Sequence, residues 1–210
     1  MAFTTEQEAI MDSIVARYPR KRSAIMPLLH FVQSIYGYVT KDGIEKIAEK
    51  IEVEAAEVTA VSTFYTQYKS DPVGEYHVGV CINTLCAVMG GDAIYDSVSD
   101  HLGIGNHETT KDGKVSLEKI ECNAACDYAP VVMVNWEFFD NQTPQSVRNL
   151  VDAARAGNPP APTRGPKTLR TWKQNSEVLA GLSDGLSGEG VSAGPATLLG
   201  LKIAKEGGSK

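Results

Sequence analysis

Cysteine is scarce in this chain: 4 residues in 210, at positions 81, 86, 122 and 126. A framework of many disulfides is therefore excluded, and none is needed, because 42% hydrophobic and 22% charged residues suit an ordinary soluble core. Positive charge is also in deficit, with 20 Lys and Arg against 26 Asp and Glu and a net charge of −6. That balance argues against non-specific nucleic-acid binding and against adsorption to an anionic membrane. No stretch approaches the roughly 20 apolar residues of a membrane span. The opening Met-Ala-Phe-Thr-Thr-Glu-Gln-Glu has no basic segment leading into an apolar run, so no signal peptide is expected. The expected location is cytoplasmic, on the membrane only through partners. There, thiols serve metals or catalysis more often than structural bridges.

The hydrophobic pattern divides the chain in three. Residues 1–72 read as a helical bundle. Thr5-x-x-Glu8 has the form of a capping box ahead of Ala9, Ile10 and Ile14. A second helix over 23–36 carries the stripe Leu28, Leu29, Val32 and Ile35 and ends at Gly37. Ile44, Ile47, Ala48 and Ile51 suggest a third helix, and residues 54–64 a fourth. Residues 73–156 read as an open α/β sheet. Tyr76, Val78 and Val80 alternate with His77 and Gly79 and lead to Cys81. A helix follows Gly90-Gly91, and a strand through Val115, Leu117 and Ile120 ends near Cys122. Two short strands about Val131–Val134 and Glu137–Phe139 turn at Asn135-Trp136, and Thr143-Pro144 opens a last helix. The fold class is α+β: a helical bundle, then an α/β domain.

Residues 157–210 hold 10 of the 19 glycines and 5 of the 10 prolines. Such a segment reads as an extended tail. One island, Thr168-Leu169-Arg170-Thr171-Trp172-Lys173, reads as an anchor, with docking on a partner favoured over packing on the chain itself. Gly188-x-Gly190 follows no strand and opens no helix, so it is no nucleotide fingerprint.

All four cysteines fall in two close pairs, Cys81-x4-Cys86 and Cys122-x3-Cys126, with 35 residues between the pairs. Four thiolates can serve zinc, an iron–sulfur cluster or thiol redox chemistry. Neither pair has the Cys-x-x-Cys spacing of redox thiols. A [2Fe–2S] unit takes two thiolates per iron, and two loops of two cysteines at one end of a sheet meet that count. Small and apolar neighbours (Ile82, Leu85, Val88 and Met89; Ala124, Ala125, Tyr128 and Ala129) would let backbone N–H groups approach the sulfurs while limiting water. Zinc remains open on this ground alone.

The residues between and around the cysteines are more specific. Val80-Cys81-Ile82-Asn83-Thr84-Leu85-Cys86 with Gly90-Gly91, and Glu121-Cys122-Asn123-Ala124-Ala125-Cys126-Asp127-Tyr128-Ala129-Pro130, resemble the two halves of the thioredoxin-like [2Fe–2S] ferredoxin signature. Pro27–Gln33, Gly37-Tyr38-Val39 and Ser62–Tyr68 resemble the helical region of the small iron–sulfur subunits of respiratory complex I, NADH:quinone oxidoreductase. The resemblance spans roughly residues 5–156. It implies one [2Fe–2S] cluster on Cys81, Cys86, Cys122 and Cys126. It also implies electron transfer beside a flavoprotein subunit holding FMN and the NADH site, with no NADH binding by this chain. The equivalent subunit of an NAD-linked hydrogenase or formate dehydrogenase carries the same motifs. A zinc-stapled interaction module is the reading from another class. The family often has glycine where this chain has Ala124.

Other candidates are weaker. His30, His77 and His101 read as packing or surface histidines, since four cysteines complete the site. Tyr128 and Trp136 could shield a cluster, and Asp127 could lower its potential. Arg164, Lys167, Arg170 and Lys173 could meet an acidic partner face. Pro130 precedes a strand where thioredoxin-like folds often place a cis proline.

Overall fold

The computed structural model describes residues 3–186 and 188–207. In chain order the helices are α1 (Thr5–Val15), α2 (Ile25–Tyr36), α3 (Lys41–Ile51), α4 (Ala55–Phe64), α5 (Thr84–Val88), α6 (Gly91–Leu102), α7 (Pro144–Arg155), α8 (Trp172–Leu179) and α9 (Pro195–Gly207). The strands are β1 (Tyr76–Cys81), β2 (Glu108–Thr109), β3 (Val115–Ile120), β4 (Val132–Val134) and β5 (Glu137–Phe139). Two compact units form: Met1–Val73 with Arg170–Asp184, and Gly74–Leu169 with Gly185–Lys210.

The first unit is helical. The α1 cap lies one residue earlier than the sequence pattern suggests. Thr4 takes the extended conformation, and its side chain accepts from the Gln7 N–H while Gln7 Oε1 accepts from the Thr4 N–H. Thr5 is thereby the first helical residue rather than the cap. In α2, Ile25, Leu28, Leu29 and Val32 are buried at helical spacing. Gly37 closes that helix at φ +85°, a conformation glycine adopts without steric cost. Its carbonyl accepts from Trp172 Nε1 at 2.7 Å. Trp172 is 1% exposed, and α8 packs along α2. Buried Gln33 fastens the pair. Its Nε2 donates to the Gln67 carbonyl (3.2 Å) and to Ser176 Oγ (3.3 Å), and its Oε1 accepts from the Lys69 N–H (3.0 Å). The segment expected as an extended tail therefore contributes a core helix here. Trp172 anchors on its own chain rather than on a partner. The reason is physical: a buried indole removes about 150–250 Å² from water, and its N–H finds an acceptor at the end of α2.

The second unit is built on a five-stranded sheet in the order β2-β3-β1-β4-β5. β1 and β3 are parallel, joined through α6, and the other neighbours are antiparallel. Tyr76, Val78 and Val80 of β1 join Ile94 and Val98 of α6 and Val147, Leu150 and Val151 of α7 in one core. Residues alternate across a strand, so Gly79 and Cys81 point to the opposite face. There Cys81 clusters with Ile120, Val131 and Met133. Asn135 and Trp136 turn the β4–β5 hairpin at φ +51° and +67°, the left-handed pair of a two-residue turn. α7 begins as expected, with Thr143 as cap and Pro144 in the first turn. The short strand β2 and the one-and-a-half-turn α5 had no counterpart in the sequence pattern, being too short for periodicity to register.

Candidate functional site

β1 ends at Cys81 and its parallel neighbour β3 ends at Ile120, with the two residues in register. Two parallel strands deliver their loops to one end of a sheet, the usual place for a site in an open α/β fold. The first loop is short because α5 starts almost at once. Asn83 caps it, its Oδ1 accepting from the Thr84 N–H at 3.0 Å. This turn returns Cys86 to Cys81, and both are buried. Gly91 then lets α6 begin against that loop. A Cβ at Gly91 would stand 2.5 Å from the Cys81 carbonyl oxygen and 2.9 Å from that of Cys86. No other residue fits so close to two backbones.

The second loop runs from β3 to the 3₁₀ turn Cys126–Tyr128. Ala124 sits at φ +53°, and its N–H donates to Cys122 Sγ at 3.3 Å. The left-handed step turns this amide toward the sulfur. The two loops are linked: Asn83 Nδ2 donates to Glu121 Oε2 at 3.0 Å. Ala129-Pro130, which follows, is cis.

The thiols stand in two pairs. Cys86 lies within side-chain hydrogen-bond reach of Cys81, and Cys126 of Cys122, and the pairs lie close enough for Cys126 to influence Cys86. Of the sequence-predicted site residues, Cys86 thus stands beside Cys81 and Cys126 beside Cys122. Among the described residues, no group of three or more His, Cys, Asp or Glu side chains is placed to hold a metal ion. Cys86 and Cys81 are 3% exposed, whereas Cys122 and Cys126 are exposed. Burial pushes the Cys86 thiol up to about 11, with the Val131 backbone hydrogen bond pulling the other way and Cys81 pushing further up. Cys126 is also raised, chiefly by its hydrogen bond with Cys122 and then by desolvation. Sulfur crowded into an apolar pocket resists becoming an anion alone. A thiolate-bound iron pair would supply the countercharge. Four paired thiols, a backbone N–H on sulfur and an apolar wall therefore fit a [2Fe–2S] cluster. The buried Asn123 Nδ2, which has no acceptor, fits it too.

The other candidates resolve without a metal. His30 is buried against Tyr68, ring centroids 4.8 Å apart, and burial lowers it to about 4. His77 Nε2 lies 2.5 Å from Glu118 Oε2, and His101 Nε2 2.7 Å from Asp152 Oδ1. Trp136 packs near His77 at 5.3 Å. Three of the four tail bases, Arg164, Arg170 and Lys173, are engaged within the chain rather than held ready for an acidic partner, and Lys167 is exposed. Arg164 pairs with Asp140 and lies over the Phe138 and Tyr128 rings. Arg170 pairs with Asp184, and Lys173 Nζ donates to the Ile35 carbonyl. The start of α9 meets the second cysteine loop: the Ala196 N–H donates to Tyr128 Oη at 3.1 Å and Thr197 Oγ1 to Asp127. Sequence reasoning missed this contact and the Asn83–Glu121 link. The Asn83-Thr84 cap was the one available signal for the latter.

Comparison with known proteins shows the family. One of the NADH-quinone oxidoreductase subunits of Mycobacterium tuberculosis is 57% identical over 200 residues, covering 95% of this chain and 79% of the relative. NADH-quinone oxidoreductase subunit 2 of Thermus thermophilus is 36% identical over 160 residues, covering 75% of this chain and 88% of the relative. The crystal structure of an NAD+-reducing [NiFe]-hydrogenase in the H2-reduced state superposes with a TM-score of 0.56 at 16% identity. It covers 64% of this chain and 23% of that one, a likeness of fold. Residues 11–155 match the family described as thioredoxin-like [2Fe–2S] ferredoxin. With about two thirds of its length matched, this chain belongs to the thioredoxin-like [2Fe–2S] ferredoxin family.

Proposed function

We propose that the chain is the electron-transfer subunit of NADH:quinone oxidoreductase, holding its [2Fe–2S] cluster through Cys81, Cys86, Cys122 and Cys126. The observation that carries this reading is the pairing of the thiols, Cys81 with Cys86 and Cys122 with Cys126, at the ends of two parallel strands. Each pair supplies the two thiolates one iron needs. When bound, the cluster takes up and releases one electron. The chain's own residues fix the sulfurs, exclude water and set the local field. Cys81 and Cys86, with Ile120, Val131 and Met133, form the dry side. Cys122 and Cys126 form the exposed side, through which an electron partner gains access.

The partner in this reading is the flavoprotein subunit that carries FMN and the NADH site. An apolar shoulder beside the cluster loop supports a protein neighbour: Leu85, Val88 and Met89 are 43%, 79% and 56% exposed. No helix among the described residues is long and apolar enough to cross a membrane. In this reading the chain reaches the cytoplasmic face of the membrane through its partners.

The test is metal analysis and EPR on the purified chain, followed by co-purification from native membranes. Two irons with acid-labile sulfide and a signal on reduction are required. Zinc without that signal would sink the reading. The structural likeness to a NAD+-reducing hydrogenase favours one second reading, the equivalent subunit of such an enzyme. Membrane-arm subunits in the co-purified complex support the first reading, and nickel or molybdenum subunits the second.

A further inference from the structure

The Cys122–Cys126 loop contains one polar group that the fold leaves unexplained. Asn123 Nδ2 is buried and has no hydrogen-bond partner. A buried amide donor without an acceptor is costly, and native proteins rarely leave one so. The neighbouring groups are already assigned. The Ala124 N–H serves Cys122 Sγ, and the other amide near the thiols, Asn83 Nδ2, serves Glu121. Asn123 lies between two proposed ligands, and a bound [2Fe–2S] unit presents only acceptors, its sulfides and thiolate sulfurs.

We infer that Asn123 donates its side-chain N–H to a sulfur of the bound cluster and so raises the reduction potential of this chain. This rests on the ligand assignment above. The sign follows from charge: reduction adds one negative charge to the cluster, so a fixed donor stabilises the reduced form more than the oxidised one. The amide is neutral and does not titrate, so its contribution is constant with pH. Alanine or leucine at this position keeps the loop and its thiols but removes the donor.

EPR-monitored redox titration of the reconstituted full-length chain tests this with Asn123→Leu and Asn123→Ala. Both variants are expected to hold two irons and two sulfides. Both should titrate at a more negative midpoint, about a tenfold smaller equilibrium constant for reduction, which is about 59 mV for one electron. Unchanged midpoints with full clusters overturn the inference. A readout on the unsubstituted protein keeps the inference open to refutation if the variants fail to fold. With asparagine side chains labelled with ¹⁵N, the reduced cluster should show a ¹⁵N hyperfine coupling, and its absence overturns the inference. Failure of the ligand assignment looks different: the wild-type chain would then lack iron, sulfide and the EPR signal altogether.

Discussion

At Ala124 the backbone takes φ +53°, a region that costs an L-residue with a Cβ roughly 1–2 kcal/mol. Glycine would relieve that strain while giving back part of the gain as unfolded-chain entropy. Ala124→Gly is expected to stabilise the second unit by about 0.5 kcal/mol and to leave the cluster in place, checked by denaturant midpoint and iron content. The cysteines behave otherwise, because the chain has no spare thiol. Serine at position 81, 86, 122 or 126 is expected to remove or destabilise the cluster. Full iron and sulfide in a purified Cys86→Ser variant would contradict the ligand assignment. His30 gives a pH prediction in the first unit. Burial holds its folded-state pKa at about 4, below the 6.5 of the unfolded chain. The unfolded state therefore binds the proton first, and the folded state loses stability as pH falls from 6.5 to about 4. The gap corresponds to about 3 kcal/mol. Denaturation followed by Trp172 fluorescence should show that slope, and His30→Leu should flatten it.

At the scale of elements, two close approaches decide whether the parts hold. α6 begins against the first cysteine loop only because Gly91 has no Cβ, with carbonyl oxygens 2.5 Å and 2.9 Å from where one would stand. Neither backbone atom can swing aside as a side chain would. Gly91→Ala is therefore expected to open the Cys81–Cys86 loop and lower cluster occupancy, read as iron per chain after reconstitution. α8 is the other case. Trp172→Ala removes a side chain that is 1% exposed and its hydrogen bond to Gly37. A loss of about 3–5 kcal/mol is expected in the helical unit, measured by thermal or urea unfolding. A stability unchanged within about 1 kcal/mol would show that α8 does not belong to this core.

At the scale of the molecule, the chain is two units interleaved in sequence, since the segment after residue 157 returns to both. Residues 170–184 complete the helical unit, and the start of α9 meets the second cysteine loop of the sheet unit. Composition could not show this. Glycine and proline content argues for an extended tail, and it says nothing of where a single indole finds its pocket. By contrast, the strand alternation of Tyr76, Val78 and Val80 and the Thr143-Pro144 start of α7 were plain in the sequence. Each is a local pattern with a local cause.

The same division holds at the site. The sequence by itself determined the number of thiols, their two loops and the family, because spacing and neighbouring residue types are written along the chain. Only the tertiary structure decided which pair is dry. It alone decided that Asn83 ties one loop to the other, and that Asn123 is left with a buried donor and no acceptor. Those facts depend on parallel pairing of β1 with β3, a contact between residues about 40 apart in sequence, and local chemistry cannot report it.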